Sequence, residues 1–240
     1  MAKLSERQLE RYSRTISLNN IGEASQAKLL NSKVLVVGAG GLGSSTILYL
    51  SSLGIKSLGI ADFDKVSLDN LPRQILYSEE DVGRLKVDVL KDKLSKRNPD
   101  TEFRFYNERI SVDNVNGIIK DYDIVLDCVD NFESEFVLND ACVKANIPLV
   151  IAGVSGYQGQ VMMISSKSKK DYKSLFSNLP LTISKEDKEK DKPVYPLAVG
   201  IVSNIQCNEA IKYILGLGKP LVDEMLVIDV LNLRLDKFKL

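Results

Sequence analysis

Gly38, Gly40 and Gly43 stand in GxGxxG spacing directly after four apolar residues, 34–37. That spacing lets a chain turn tightly, bring its backbone close to an anion and pack a helix against the preceding strand. A helix over 42–53 would then turn its unpaired N–H groups toward a phosphate. Asp62 follows at about the 20-residue distance at which an acidic side chain accepts hydrogen bonds from a ribose. The glycines alone usually mean NAD or FAD, by roughly two to one over other nucleotides. The charges around them argue for chemistry at phosphorus. Asp62 and Asp64 close the second strand, Arg73 and Lys86 lie downstream where they can meet triphosphate oxygens, and Asp130 falls outside the carboxyl end of a further strand. Sheets of this class bind ligands at those carboxyl ends. Hydride transfer has no use for that charge, whereas nucleotidyl transfer depends on it.

Composition narrows the chemistry further. The 240 residues contain no histidine, which excludes Ser-His-Asp triads, histidine bases and histidine-ligated metals. Carboxylates, Lys, Arg, backbone groups and bound ions are left to act. Lys plus Arg (32) balances Asp plus Glu (32), so no global field recruits nucleic acid. No apolar run approaches the roughly 20 residues that cross a bilayer, so no membrane partner is expected. Cys128, Cys142 and Cys207 are far apart and lack CxxC spacing. They read as small hydrophobes of a reduced, cytoplasmic protein.

Strands are expected over 34–37, 57–61, 102–107, 124–128, 149–153 and 159–164, and helices over 42–53, 83–97, 114–120, 135–145 and 199–215. A terminal hairpin is expected from 225–231 and 233–240. The alternation of strand and helix predicts an α/β fold with a Rossmann-like, doubly wound, mostly parallel sheet, extended by C-terminal antiparallel strands. Residues 1–31 form an N-terminal helical arm, with Ser5 and Gln8 in capping-box spacing, and 32–164 the nucleotide-binding core. Residues 165–196, rich in Lys, Asp, Ser and Pro, are a flexible crossover loop, and 197–240 complete the same domain.

The chain resembles the ubiquitin-activating (E1)-like adenylyltransferases of sulfur-carrier pathways, the family of the molybdopterin-synthase and thiamine-pathway carrier adenylyltransferases. The blocks RYSRTISLNNIGEASQAKLLNSKVLVVGAGGLGS, LGIADFDKVSLDNLPRQILYSEEDVGRLKVDV, LDCVDNF, LNDACVKANIPLV, GYQGQVMM and GIVSNIQCNEAIKYILG carry the likeness over nearly the whole chain. The second and third blocks are the specific ones. The resemblance implies ATP-dependent adenylylation of the C-terminal glycine of a small ubiquitin-like carrier ending in Gly-Gly, with release of pyrophosphate. It implies Gly41 and its neighbours against the nucleotide, Asp62 on the ribose, and Asp64, Asn70, Arg73, Gln74 and Lys86 around the phosphates. Arg73 and Lys86 would stabilise charge, and Asp130 would hold Mg²⁺. Arg14 would reach into the site of a partner copy, which implies a homodimer. Plainer roles exist for each: Arg14 as a solvated arginine, Asp130 as a cap, Asp64 and Asn70 as turn formers, Lys86 as a surface lysine.

Two departures from the family stand out. Relatives commonly bind zinc through two CxxC pairs. Here YKSLF at 172–176 carries Ser174 in place of a cysteine and none precedes VYPLAVG at 194–200, so no zinc is expected. Glu135 stands where an arginine near the phosphates is common, a charge reversal that would weaken anion binding. It leaves a catalytically weakened, carrier-binding adaptor as the alternative reading. An NAD-dependent oxidoreductase is a third, resting on the glycine spacing alone.

Overall fold

Four strands of this chain carry near-continuous apolar runs, as strands covered by helices on both sides do. They are β1 (Lys33–Val37), β2 (Ser57–Ala61), β4 (Ile124–Asp127) and β5 (Leu149–Ser155). The computed structural model describes residues 3–176 and 193–240. Alternate residues of β1 serve opposite cores, as the period of two requires. Val34 and Val36 pack with α4 (Gly41–Ser52), α5 (Lys86–Leu94) and the long α9 (Pro196–Leu215). Leu35 and Val37 pack with α6 (Val115–Ile119), α7 (Phe132–Ala145) and the short α8 (Tyr172–Phe176).

With β3 (Glu102–Tyr106), β6 (Gln158–Ile164), β7 (Glu224–Asp229) and β8 (Arg234–Lys239), the sheet has eight strands in the order β3-β2-β1-β4-β5-β6-β7-β8. Strands β1 to β5 are parallel, and β6, β7 and β8 add as an antiparallel extension. The winding reverses between β1 and β4, which opens a crevice at their carboxyl ends. Across this junction α9 lays Gln206, fully buried, whose Nε2 donates to the carbonyls of Asp127 (2.6 Å) and Val150 (3.0 Å) on adjacent strands.

The arm consists of α1 (Glu6–Arg11), α2 (Ser13–Ile16) and α3 (Gly22–Leu29), and α1 opens with the Ser5/Gln8 capping box. Several boundaries differ from the sequence reading. The helix expected from 83 begins at Lys86, because Gly83 takes a left-handed φ of +88° and Leu85 is extended. Ser78 and Asp81 instead box a separate 3-10 turn, Glu79–Asp81. Helix α7 begins at Phe132, where Asn131 Oδ1 accepts from Ser134 N, a cap worth about 1 kcal/mol. Helix α9 begins at Pro196, whose fixed φ suits a first turn.

The 165–196 stretch, read as a loop without elements, contains α8. This helix is docked on α7 by Asn139 Oδ1, which accepts from Tyr172 N at 3.0 Å, and by the Lys173–Asp140 pair at 2.7 Å. Residues 177–192 of that stretch lie outside the described residues.

Candidate active site at the β1/β4 crevice

Two of the glycines are demanded by backbone contact and a third is free of it. Gly38 has φ +94°, and a Cβ there would lie 2.5 Å from the Cys128 carbonyl oxygen; at Gly43 it would lie 2.0 Å from the Gly38 carbonyl oxygen. At Gly40 a Cβ would meet nothing nearer than Gln74 Nε2 at 3.5 Å. The first two therefore shape the turn, and the third keeps space open in front of it. Gly41 opens α4 beside Val199 and Arg73.

The turn is held from two further sides. Asp62, buried at the end of β2, accepts from Ala39 N at 2.7 Å through Oδ2 and from Asp64 N at 2.8 Å through Oδ1. The Tyr77 hydroxyl donates to the Ala39 carbonyl at 2.8 Å. Burial and the nearby Asp62 raise the Tyr77 phenol, which keeps it a donor. Lys86 is the fixed cation of the group. Only 5% of its side chain is exposed, and Nζ lies 3.0 Å from Asp64 Oδ2 and 3.7 Å from Asp62 Oδ2. It is therefore no surface lysine. Burial raises the Asp62 carboxyl, and Lys86 and the two amides pull against it.

Arg73 is half-buried, and Nη1 donates to the Asp69 carbonyl at 2.9 Å. It forms no ion pair among the described residues, so its charge is available to a ligand. Gln74 is buried beside Gly40, with Oε1 unpartnered among the described residues. Asn70 lies in the 3-10 turn Leu68–Asn70, where its amide bonds Asp69 Oδ2 at 3.1 Å and its carbonyl receives the backbone N–H groups of Arg73 and Gln74. It thus orients both neighbours. Asp130 is exposed after β4 and has no hydrogen bond or ion pair among the described residues. Asn131 does the capping instead. A lone, open carboxylate of this kind fits a hard cation that keeps its water and phosphate ligands.

The structure therefore brings Gly38, Gly40, Gly41, Asp62, Asp64, Asn70, Arg73, Gln74 and Lys86 into one neighbourhood, with Asp130 after β4, across the same switch point. Arg14 does not join them. It is exposed on α2 without a partner among the described residues. Sequence reasoning assigns no role to Tyr77, although it lies inside the second block of likeness, nor to Arg109, which lies over the Phe63 ring at 5.7 Å and pairs with Glu133 at 3.1 Å.

Glu135 corrects the expectation of an acidic group set against the phosphates. It is buried, and Oε2 accepts from the Tyr172 hydroxyl at 2.8 Å. Its charge adds to burial in raising Asp127 well above the carboxylate range. Asp127 Oδ1 accepts from Val129 N at 3.1 Å, while Oδ2 has no partner among the described residues. A carboxyl whose folded pKa exceeds its unfolded value contributes stability below the unfolded value and loses it as pH rises through the folded one. Asp127→Asn, which has no such proton to lose, is expected to melt several degrees above wild type at pH 8, with the gap narrowing toward pH 5. Scanning calorimetry at both pH values checks this, and a gap of equal size at both would refute it.

The three thiols are buried, and burial pushes Cys142 and Cys207 up to about 12, which disfavours the reactive thiolate. Among the described residues no group of three or more His, Cys, Asp or Glu is placed to hold a metal ion, and no helix is long and apolar enough to cross a membrane.

The ThiF family matches residues 12–240. The chain is 37% identical over 240 residues to a probable molybdopterin-synthase adenylyltransferase of Gracilaria tenuistipitata var. liui, covering all of this chain and 67% of that protein. It is 39% identical over 229 residues to the adenylyltransferase and sulfurtransferase MOCS3 of Culex quinquefasciatus, covering 95% of this chain and 52% of that one. The chain thus spans from about half to two thirds of the length of these curated relatives. Among solved structures, E. coli MccB with MccA-N7isoASN superposes with a TM-score of 0.84 at 23% identity, over 98% of this chain and 72% of that chain. PaaA superposes at 0.83 and 24% identity, over 100% and 75%. These two likenesses are of fold.

Proposed function

Because the chain belongs to the ThiF family, we propose that it adenylylates the C-terminal glycine of a small ubiquitin-like sulfur-carrier protein at the expense of ATP. The observation that carries this reading is Lys86, a buried ammonium held between Asp62 and Asp64 below the glycine turn. The names of the relatives, adenylyltransferases of molybdopterin synthase and of the MOCS3 type, agree with it.

The reaction suits a protein without histidine. A glycine carboxylate is already ionised at neutral pH, so its attack on the α-phosphorus needs no general base. One carboxylate oxygen forms a bond to phosphorus, the bond from phosphorus to the bridging oxygen breaks, and pyrophosphate leaves with the electron pair. The difficulty is bringing two anions together, and the remedy is fixed positive charge and dipoles. Lys86 supplies a point charge and Arg73 a fork in which Nη1 is held by the Asp69 carbonyl and no ion pair is formed among the described residues. The glycine turn and the first N–H groups of α4 face the phosphates, Asp62 takes the ribose, and Gln74 offers its Oε1, unpartnered among the described residues, to the nucleotide. Asp130 would hold Mg²⁺, which when bound neutralises phosphate charge.

The partner is a carrier with a Gly-Gly end, and the working unit is a cytoplasmic homodimer in which Arg14 serves the partner's site. Support for the last point is geometric. The arm's side-chain hydrogen bonds to the rest of the chain, among the described residues, fall on the Leu53 carbonyl and on 97–100, the former at the far end of α4 from the glycine turn. Helix α4 has 12 residues, a length of about 18 Å.

Purified protein with ATP, Mg²⁺, labelled pyrophosphate and a Gly-Gly-ended carrier is expected to exchange label into ATP only when carrier is present. Absence of exchange with intact carrier binding would establish the adaptor instead. Saturable NAD binding without ATP binding would establish the oxidoreductase.

A further inference from the structure

The arm is fastened to the body by a convergence of donors on one carboxylate. Arg7 Nη2 (2.6 Å) and Gln8 Nε2 (3.2 Å) both donate to Asp100 Oδ1, and the Tyr12 hydroxyl donates to Asp100 Oδ2 at 3.0 Å. Asp100 is in turn oriented by Asn98, whose Oδ1 accepts from Asp100 N at 3.1 Å. The buried Asn98 amide donates to the Tyr12 oxygen at 3.0 Å and to the Ser51 carbonyl on α4 at 2.7 Å. The body also keeps a socket for the ring. Gly54 has φ +80°, and a Cβ there would stand 2.3 Å from the Tyr12 oxygen.

Helices α1 and α2, of six and four residues, are too short to persist alone, and neither buries a residue of its own. Their conformation is therefore set by this latch. Arg14 follows Tyr12 by two positions, so the latch also decides where the arginine stands. Its guanidinium is exposed and unpartnered among the described residues.

We propose that Asp100, acting through Tyr12, is a positioning residue that presents Arg14 to the nucleotide site of a second copy of this chain. The proposal rests on the reading that Arg14 completes a partner's adenylylation site. Reactive geometry tolerates little error, since a displacement of about 1 Å costs on the order of 10²-fold in rate.

The test is a double-mutant cycle on the full chain, read as the kcat and KM of carrier-dependent pyrophosphate exchange. Asp100→Asn and Tyr12→Phe are each made alone and combined with Arg14→Ala. Tyr12→Phe keeps the ring in its socket and so preserves the fold. Each single variant is expected to lower kcat about 10- to 100-fold with little change in KM for ATP, and to have no further effect once Arg14 is alanine. Wild-type kcat in both variants, or an equal loss with and without Arg14, overturns the positioning role. Full activity of Arg14→Ala in a wild type that exchanges removes Arg14 from the site and the proposal with it. A wild type that fails to exchange refutes the adenylylation reading itself.

Discussion

Replacing Lys86 by alanine is expected to lower carrier-dependent pyrophosphate exchange by about 10³-fold, and replacing Arg73 by alanine by about 10²-fold, the range seen when one preorganised charge stabiliser is removed. The two differ because of how each cation is held. Lys86 is clamped between Asp62 and Asp64 with its ammonium out of water, where its charge is screened least. Arg73 is half-buried and held by one hydrogen bond to a carbonyl. Lys86→Arg is not expected to rescue, because a planar fork does not fit a slot built for a point charge. Removing Lys86 also leaves Asp62 buried without its counter-ion. That carboxyl is already raised by burial and can take up a proton, which limits the cost. Arg73 forms no ion pair among the described residues and strands no buried carboxylate there, so its variant isolates the chemistry. Loss of dimer or of folded protein in step with loss of exchange would show that these residues are structural.

The glycines separate fold from ligand. Gly38→Ala and Gly43→Ala are each expected to destabilise by on the order of 4 kcal/mol, enough to prevent accumulation of folded protein, since each methyl group would strike backbone that cannot move aside. Gly38 adds the cost of a left-handed φ. Gly40→Ala is expected to fold with a nearly unchanged Tm, because only the Gln74 side chain stands near the new methyl group. It should bind ATP at least about tenfold more weakly, a loss of about 1.4 kcal/mol. Thermal melts with and without ATP read both quantities. A stable Gly38→Ala protein, or a Gly40→Ala protein with undiminished ATP-induced stabilisation, would contradict this division.

Much of the architecture is legible in the residues because its signals are local. Continuous apolar runs announce β1, β2, β4 and β5, the spaced glycines announce the turn, and alternation announces the β7 and β8 hairpin. The less legible features depend on what lies across space. Lys86 sits in a polar stretch and looks solvated, and only the fold of the 62–86 segment brings Asp62 and Asp64 around it. Tyr77 clamps the glycine turn from 38 residues away, a distance no periodicity reports. Glu135 shares its sequence surroundings with surface acids, and it is buried because Tyr172 arrives from a five-residue helix inside a polar stretch, too short for periodicity to report its docking. Helix starts at Lys86 and Pro196 were displaced by single residues, Gly83 and Pro196, whose dihedral preferences outweigh hydrophobic pattern.

The bridge made by Gln206 bears on how the protein comes apart. Its amide joins the last carbonyl of β4 to a carbonyl of β5, and the same helix packs on α4 and β6. Stripping α9 from the sheet would leave those two carbonyls dry and unmet while baring the apolar face of both halves, so no partly melted form keeps the crevice intact without the C-terminal segment. The described structure is therefore expected to be lost on heating in one cooperative transition, and a fragment cut ahead of α9 is expected not to hold a native β1/β4 junction.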